Sequence, residues 1–383
     1  MKVLFLTGGS PSTVFGLTPL ATAVRNAGHE VFMGTTGELT PYVTGVGLPA
    51  VTLSELTRQD FMSKGPAGLP EEMPEDPAQQ MRLVGTWYGR LATACLDALD
   101  ELVKVWRPDV VVGGTLAYAA PVIAARIGVP YVRHLWDTLE WSGYDVGATG
   151  QLAPELAGLG IAGLPDPDLW IDVCPPSLQS GDTPQAQLMR WTPANLQRPL
   201  EPWMYTRPRG GRVCVTGGSR VTNDEAFDFL GVNGSRLHGL AQTVQGLGKE
   251  LVIAAPEEVA AKLRQDLGVR AGWIPLDVLT PTCDLLVHND GGLSSLTGMH
   301  AGVPQLCVPK LASAVAPALR LAEYGAAITL LPEDDTPENV VEACRALLSD
   351  PSYRRRAQDL VQEIGRSPLP HDIVPMLEKL AAR

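Results

Sequence analysis

Two α/β domains in tandem, each a parallel sheet with helices on both faces, are what this sequence predicts, on three observations. A length of 383 residues is too great for one hydrophobic core and fits two domains of similar mass. The apolar runs at 110–112, 130–132, 170–173, 251–254, 285–287, 305–308 and 327–330 do not alternate with polar residues, which is how strands covered on both faces read. A strand and turn also recur: the run 3–6 enters Thr7-Gly8-Gly9-Ser10, and the run 213–215 enters Thr216-Gly217-Gly218-Ser219.

In chain order, the first strand and turn lead to a helix expected over 17–27, stopped by Gly28, and then to a strand at 30–33. Residues 55–80 carry Pro, Gly and acidic residues around Phe61 and Met62, too long and irregular for a mere connection, and are expected to form a mobile lid. The stretch 175–211, rich in Pro and polar residues around Trp191, Trp203 and Tyr205, reads as the interdomain linker. From 336 to 383 the pattern is helical, with Pro368 and Pro370 separating two amphipathic pieces, the last placed to pack back across the linker. The expected units are an N-terminal domain over 1–200, a C-terminal domain over 201–365, and a terminal helix over 366–383.

Composition narrows the function. A hydrophobic fraction of 45% and a charged fraction of 19% are those of a globular protein. Forty-two acidic against thirty basic residues give a net charge of -12, which repels nucleic acid and anionic membranes, so neither is an expected partner. The six cysteines (Cys95, Cys174, Cys214, Cys283, Cys307, Cys344) are scattered, with no C-x-x-C and no His at ligand spacing, and read as buried thiols rather than a metal site. The apolar N-terminus is too short for a signal region or a bilayer span, so a cytoplasmic protein is expected.

The strongest local signal is L-L-V-H-N-D-G-G-L-S-S at 285–295, a strand entering a glycine turn and a helix. Free backbone N–H groups and the helix dipole at Gly291, Gly292, Leu293, Ser294 and Ser295 suit a diphosphate, and His288 can add a donor; the alternative is a capped helix beside a satisfied histidine. Upstream, Gly272-Trp273-Ile274-Pro275-Leu276 offers Trp273 for stacking on a nucleobase, with Ile274 and Pro275 beside it, although a tryptophan there also reads as core. The turn Gly217-Gly218-Ser219-Arg220 follows a strand, where open α/β sheets bind ligands; Arg220 also reads as a solvated charge.

Together these segments resemble the two-domain nucleotide-sugar glycosyltransferases of the GT-B fold. T-P-L-A-T-A-V-R-N-A-G-H-E-V at 18–31, G-W-I-P-L-D-V-L at 272–279, V-H-N-D-G-G-L-S-S-L at 287–296 and H-A-G-V-P-Q-L-C-V-P at 300–309 fall in that family's order and spacing across nearly the whole chain. The resemblance implies two facing Rossmann-like domains, the C-terminal one holding the nucleotide sugar and the N-terminal one the acceptor. Two departures matter. Where the O-glycosyltransferases of the family place a His base in the loop after the first strand, alignment gives Thr13, and where they place an Asp-Gln pair for sugar hydroxyls the chain has Ser313-Ala314, which fits a deoxysugar.

Those departures, with Gly9-Ser10-Pro11, Trp136-Asp137, L-E-P-W-M-Y-T-R at 200–207 and D-L-W-I-D-V-C-P-P-S-L at 168–178, resemble the urdamycin-type C-glycosyltransferases of aromatic polyketide biosynthesis. That resemblance implies a dTDP-activated deoxysugar such as D-olivose as co-substrate, an aromatic polyketide as acceptor, carbon-linked transfer, and Asp137 as the base; without it Asp137 reads as a turn residue. Asp137 would take the proton of a phenol whose ortho carbon attacks the sugar, with Trp136 supplying desolvation and His134 as the competing base. Ser10 either positions the acceptor oxygen or forms the turn. Phe61, Met62, Trp87, Tyr88 and Trp136 are candidates for holding a flat polyketide, Trp87 and Tyr88 being equally at home in a helix core. No cofactor and no metal is expected.

Three rival readings remain at this level. A nicotinamide-dependent oxidoreductase is weakened by Gly8-Gly9-Ser10-Pro11, which lacks the G-x-G-x-x-G spacing and sets a proline where phosphates want amides. A non-catalytic helper of the same ancestry would not need the 288–295 segment. An O-glycosyltransferase using Asp137 or His134 on a phenol stays open.

Overall fold

Val, Ile and Leu in unbroken runs form parallel strands because their branched side chains fill both faces of a sheet sandwiched by helices. The computed structural model describes residues 1–64, 69–139, 141–181, 184–224, 233–289 and 291–383, so the tip of the expected lid at 65–68 and Asp290 of the glycine-turn motif lie outside the described residues. The first half holds β1 (Lys2–Leu6), β2 (Glu30–Thr36), β3 (Ala50–Ser54), a short hairpin of β4 (Ser63–Lys64) and β5 (Leu69–Pro70), β6 (Val110–Gly114), β7 (Tyr131–Leu135), β8 (Leu169–Asp172) and β9 (Gln187–Leu188). Outside the hairpin these strands make one parallel sheet in the order β3-β2-β1-β6-β7-β8-β9. The second half builds β10 (Arg212–Thr216), β11 (Glu250–Ala254), β12 (Arg270–Gly272), β13 (Leu285–His288), β14 (Gln305–Cys307) and β15 (Ala327–Thr329) into a parallel sheet in the order β12-β11-β10-β13-β14-β15. Both orders reverse beside the domain's first strand, and such switch points leave a crevice at the strands' carboxyl ends.

The first helix runs over Pro11–Asn26, so it begins six residues before the expected 17 and the glycine turn is shorter than the sequence reads. Ser10 is the N-cap in extended conformation and Pro11 brings a φ already suited to the first helical position, so the turn at 7–10 leads directly into the helix. The described part of the 55–80 segment does not stand off as a lid: Glu71 accepts from Trp87 Nε1 at 2.9 Å and from Arg90 Nη1 at 2.8 Å, which holds it on helix Pro77–Val105.

No regular structure spans 189–201, the stretch that leads from β9 toward the second sheet. The last helix, Pro370–Ala381, lies against the first: Ile373, Val374 and Leu377 share an apolar cluster with Leu17, Leu20 and Val24, and His29 Nε2 meets Glu378 Oε1 at 2.8 Å. Each such buried side chain contributes about 1.5–3 kcal/mol. Ser177 also donates to Glu363 through its backbone N (2.8 Å) and Oγ (2.7 Å), and the Arg190 N–H reaches the Pro368 carbonyl at 2.6 Å. The two halves are therefore stitched along one side while their sheet ends face each other on the other. Among the described residues no helix is long and apolar enough to cross a membrane, and all six cysteines are buried and free.

Candidate active site

The carboxyl ends of the central strands of both sheets open into one interdomain cleft of ≈ 1310 Å³, counting the solvent space at its mouth. From the first domain come Ser10 and Thr13 after β1, Leu116 after β6, and Trp136 and Asp137 after β7. From the second come Gly217, Gly218, Ser219 and Arg220 after β10, Trp273 and Ile274 after β12, and Gly291, Gly292, Leu293 and Ser294 after β13. Residues scattered along the sequence thus meet because each follows the carboxyl end of a parallel strand.

Gly217 and Asn289 join the two C-domain loops, Asn289 Nδ2 donating to the Gly217 carbonyl at 3.1 Å. Gly218 takes a positive φ of 79°, a conformation a side chain would strain, and its N–H reaches Thr216 Oγ1 at 3.0 Å. Gly291 caps helix Gly292–Ala301 with no side-chain hydrogen bond and no acidic residue in the first turn, which leaves the positive helix end facing the cleft. A Cβ on Gly292 would lie 2.5 Å from Asp137 Cβ, so the two domains touch where the helix end meets the carboxyl group. Trp273 packs at 6.1 Å from Phe15 and 6.0 Å from Tyr42, ring centre to ring centre, and thereby spans the domain boundary.

Asp137 is the one carboxylate among the described residues that line the cleft, and it is only 5% exposed. Burial pushes its carboxyl up to about 7, aided by the charge of Asp172 and opposed by the Leu139 N–H, which reaches Oδ1 at 3.1 Å, and by Arg220. Asp172, itself raised to about 6 by burial, is held behind the cleft by the Cys174 N–H (2.8 Å) and Gln179 Nε2 (2.7 Å). Trp136 walls the site: a Cβ on Gly16 would come 2.8 Å from its Cβ, and one on Gly114 would come 2.7 Å from its Nε1. Ser10 Oγ and Ser12 Oγ lie 2.8 Å apart on the cleft floor. Thr13 Oγ1 donates to the Ser10 carbonyl at 2.6 Å and the Gly8 carbonyl at 3.1 Å, which commits its hydroxyl to the backbone.

Several expected site residues sit elsewhere. His288 is 0% exposed and lies behind the loop, its Nε2 2.7 Å from Gln305 Oε1, and burial lowers its pKa to about 4. It is neutral and does not face the cleft, so the expected phosphate donor becomes a support beneath the glycine loop at 291–292. Gln305 extends that support by donating to the Ser295 carbonyl at 3.2 Å, and Ser295 is buried with it. Pro275 caps the short helix Leu276–Leu279 from behind the cleft wall. His134 is also 0% exposed, is lowered to about 4 by burial, and lines neither the cleft nor the cavity beside it.

Of the acceptor candidates, Tyr88 and Trp136 reach the cleft, and Trp87, Met62 and Tyr88 line a second cavity opening from it. Phe61 lines neither; its ring sits under Gly9 and 5.5 Å from Tyr88, where it fastens helix Arg58–Met62 to the glycine turn. Arg58, Trp191, Asn195 and Lys310 line these spaces without having been read from sequence. Lys310, three residues past β14, carried a signal of the same kind as Trp136 and Asp137, whereas nothing local marks Trp191 in an irregular segment. Ser313 and Ala314 line the cleft at the start of helix Ala312–Tyr324. Among the described residues no cluster of His, Cys, Asp and Glu is placed to hold a metal ion.

Two parallel-sheet domains facing across a cleft are the architecture of GT-B glycosyltransferases. The structure superposes with a TM-score of 0.86 on the glycosyltransferase SsfS6 of Streptomyces sp. SF2575 complexed with thymidine diphosphate, at 33% identity over 99% of both chains. It superposes at 0.83 on the spinosyn rhamnosyltransferase SpnG complexed with spinosyn aglycone, at 28% identity over 99% of this chain and 100% of that one. In sequence it is 34% identical to the L-demethylnoviosyl transferase of Streptomyces niveus, over 97% of this chain and 96% of the relative. The chain belongs to the erythromycin biosynthesis protein CIII-like family of glycosyltransferases, whose N-terminal domain matches residues 22–218 and whose C-terminal domain matches 239–380.

Proposed function

We propose that this glycosyltransferase moves a deoxysugar from a dTDP-sugar to a ring carbon of an aromatic polyketide, with Asp137 as the base. The observation that carries the proposal is Asp137 itself, a buried carboxylate raised to about 7, placed at the cleft against the end of helix Gly292–Ala301. The thymidine diphosphate in the related SsfS6 structure and the aglycone in that of SpnG support a nucleotide-sugar donor and a polyketide-type acceptor. Trp273 and Ile274 fit the nucleobase, the amides of Gly292 to Ser294 and Arg220 the diphosphate, and Ser313 and Ala314 a sugar with few hydroxyls to recognise. The N-terminal domain over 1–200 takes the acceptor and the C-terminal domain over 201–365 the donor.

Chemically, the phenol proton passes to Asp137 while the ortho carbon bonds to the anomeric carbon. The anomeric C–O bond breaks, dTDP leaves on the helix end where its charge is stabilised, the ring C–H proton passes to solvent as aromaticity returns, and Asp137 gives the phenol proton back to the oxygen. An ordinary carboxylate near 4 facing a phenol near 10 is mismatched by about 8 kcal/mol, and raising Asp137 to about 7 halves that to about 4 kcal/mol. Thr13, where the family's His base aligns, cannot supply the difference, because a hydroxyl bound to two carbonyls is no base at neutral pH.

Oxygen-linked transfer is the second reading, favoured by the fact that Asp137 can deprotonate a phenol for either nucleophile. Incubation with dTDP-D-olivose and a panel of aromatic polyketides, followed by NMR of the sugar–aglycone linkage and an acid-stability test, separates the two. A carbon-linked, acid-stable product supports the proposal, and an acid-labile oxygen-linked product overturns the carbon linkage.

A further inference from the structure

Among the described residues that line the cleft, the charged side chains are Asp137, Arg220 and Lys310. Two of them are cations in a protein whose net charge is -12, and the carboxylate is buried and disposed to its neutral form. Arg220 is placed for the donor diphosphate, which leaves Lys310 without a role. Lys310 stands three residues past β14, and β14 pairs with β13 in a register that sets Cys307 opposite His288. The chain beyond Cys307 therefore leaves the sheet one strand spacing, about 4.8 Å, from the chain that continues into the loop at 291–294. Leu311, Ser313 and Ala314, next along the chain, line the same cleft.

Lys310 is held in place. Its Nζ lies 3.2 Å from Asp335 Oδ2, and the same oxygen takes Arg236 Nη2, from helix Gly234–Gln245, at 2.7 Å. One carboxylate shared by two cations leaves the trio with one net positive charge, and of the three only the lysine lines the cleft. Its side chain is 24% exposed, so solvent screens the charge less than at an open surface. An ammonium donates hydrogen bonds and accepts none, so it suits an oxygen and repels a second ammonium. Ser313 offers one hydroxyl and Ala314 none, and neither can neutralise a positive charge brought beside them. Resting on the assignment of Ser313 and Ala314 to the sugar, we infer that Lys310 sets the charge class of the donor sugar. A neutral deoxyhexose, with a hydroxyl oxygen accepting from Nζ, is taken, and a sugar bearing an amine is rejected. The discrimination is made by repulsion, which a contact shared by all hydroxylated sugars would not supply.

Calorimetric titration of the full chain at about pH 6 tests this without an acceptor; there a primary amine is protonated and the Asp137 carboxyl is largely neutral. The probes are dTDP, dTDP-6-deoxy-D-glucose, and the two matched sugar nucleotides in which the 3-hydroxyl or the 4-hydroxyl is replaced by an amine. At least one amino sugar is expected to bind about tenfold to a hundredfold more weakly than the hydroxy sugar, and the carbon concerned marks the side that meets the lysine. Lys310→Met is expected to bring that ratio within about threefold of one and Lys310→Arg to keep most of it, with dTDP affinity changed by less than about threefold in either. Asp335 keeps Arg236 as its partner in Lys310→Met, and circular dichroism checks that the variant is folded. Equal binding of the hydroxy sugar and both amino sugars by the unmodified protein overturns the inference. A loss of dTDP affinity in Lys310→Met as large as the loss for dTDP-6-deoxy-D-glucose gives the lysine to the diphosphate and overturns it too. Failure of the unmodified protein to bind dTDP is a different result, which overturns the donor reading beneath the inference.

Discussion

Replacing Asp137 by Asn should stabilise the fold, and should do so increasingly as the pH rises. The carboxyl is raised from 3.8 to about 7 in the folded chain, so the folded state prefers the neutral form while the unfolded state ionises at the ordinary value. A group raised in this way contributes nothing adverse below pH 4. Its cost grows as the unfolded chain ionises and levels off once the folded carboxyl ionises as well, above about pH 7. At 1.36 kcal/mol per pH unit the penalty is about 1.5 kcal/mol at pH 5 and about 4 kcal/mol at pH 8, and Asn, which never ionises, escapes it. Parallel urea titrations of the two proteins at pH 5, 6, 7 and 8 measure the difference; the constant offset due to shape drops out, and only its growth with pH is read. An advantage of Asn that stays flat or shrinks with pH would refute the claim that burial raises this carboxyl.

Other consequences follow from the same geometry. Asp172→Asn removes a negative neighbour, so the acid limb of the pH–rate profile should move to lower pH, by at most about one unit; a limb that does not move would show that the two carboxylates are not coupled. Gly292→Ala sets a methyl 2.5 Å from Asp137 Cβ and should lower the transfer rate about a hundredfold by forcing the domains apart, with the isolated fold intact by circular dichroism. Thr13→Val removes two hydrogen bonds to backbone carbonyls and should cost about 1–3 kcal/mol of stability, while transfer falls less than about tenfold, because the residue is no base.

Much of the fold was legible because parallel, doubly covered strands announce themselves as unbroken apolar runs; the run at 285–287 and β13 coincide almost residue for residue. The edge strands β3 and β12 escaped because A-V-T-L-S and R-A-G are short and mixed, as strands at sheet margins are when only one side is paired. The start of the first helix was misplaced because Gly-Gly-Ser-Pro suits a turn and a helix N-terminus equally. Asp137 was reachable through the resemblance, since a residue just past a strand in an α/β sheet has a fixed place. His288 was not: its burial follows from Gln305, seventeen residues further on and on the neighbouring strand, and no local pattern reports that pairing. Arg58, at the start of a five-residue helix, and Trp191, in an irregular segment, reach the site only through tertiary packing.

The most direct test of the central claim compares Asp137→Asn with the unmodified protein in two measurements on the same samples, calorimetric binding of dTDP and single-turnover transfer from dTDP-D-olivose to an aromatic polyketide at pH 8. The account predicts that dTDP binds at least as tightly to the variant, which lacks a negative charge beside the helix end, while transfer falls by about a hundredfold to ten-thousandfold, the usual contribution of a positioned base. Transfer at a rate within a few fold of the unmodified protein, with dTDP bound, would contradict it.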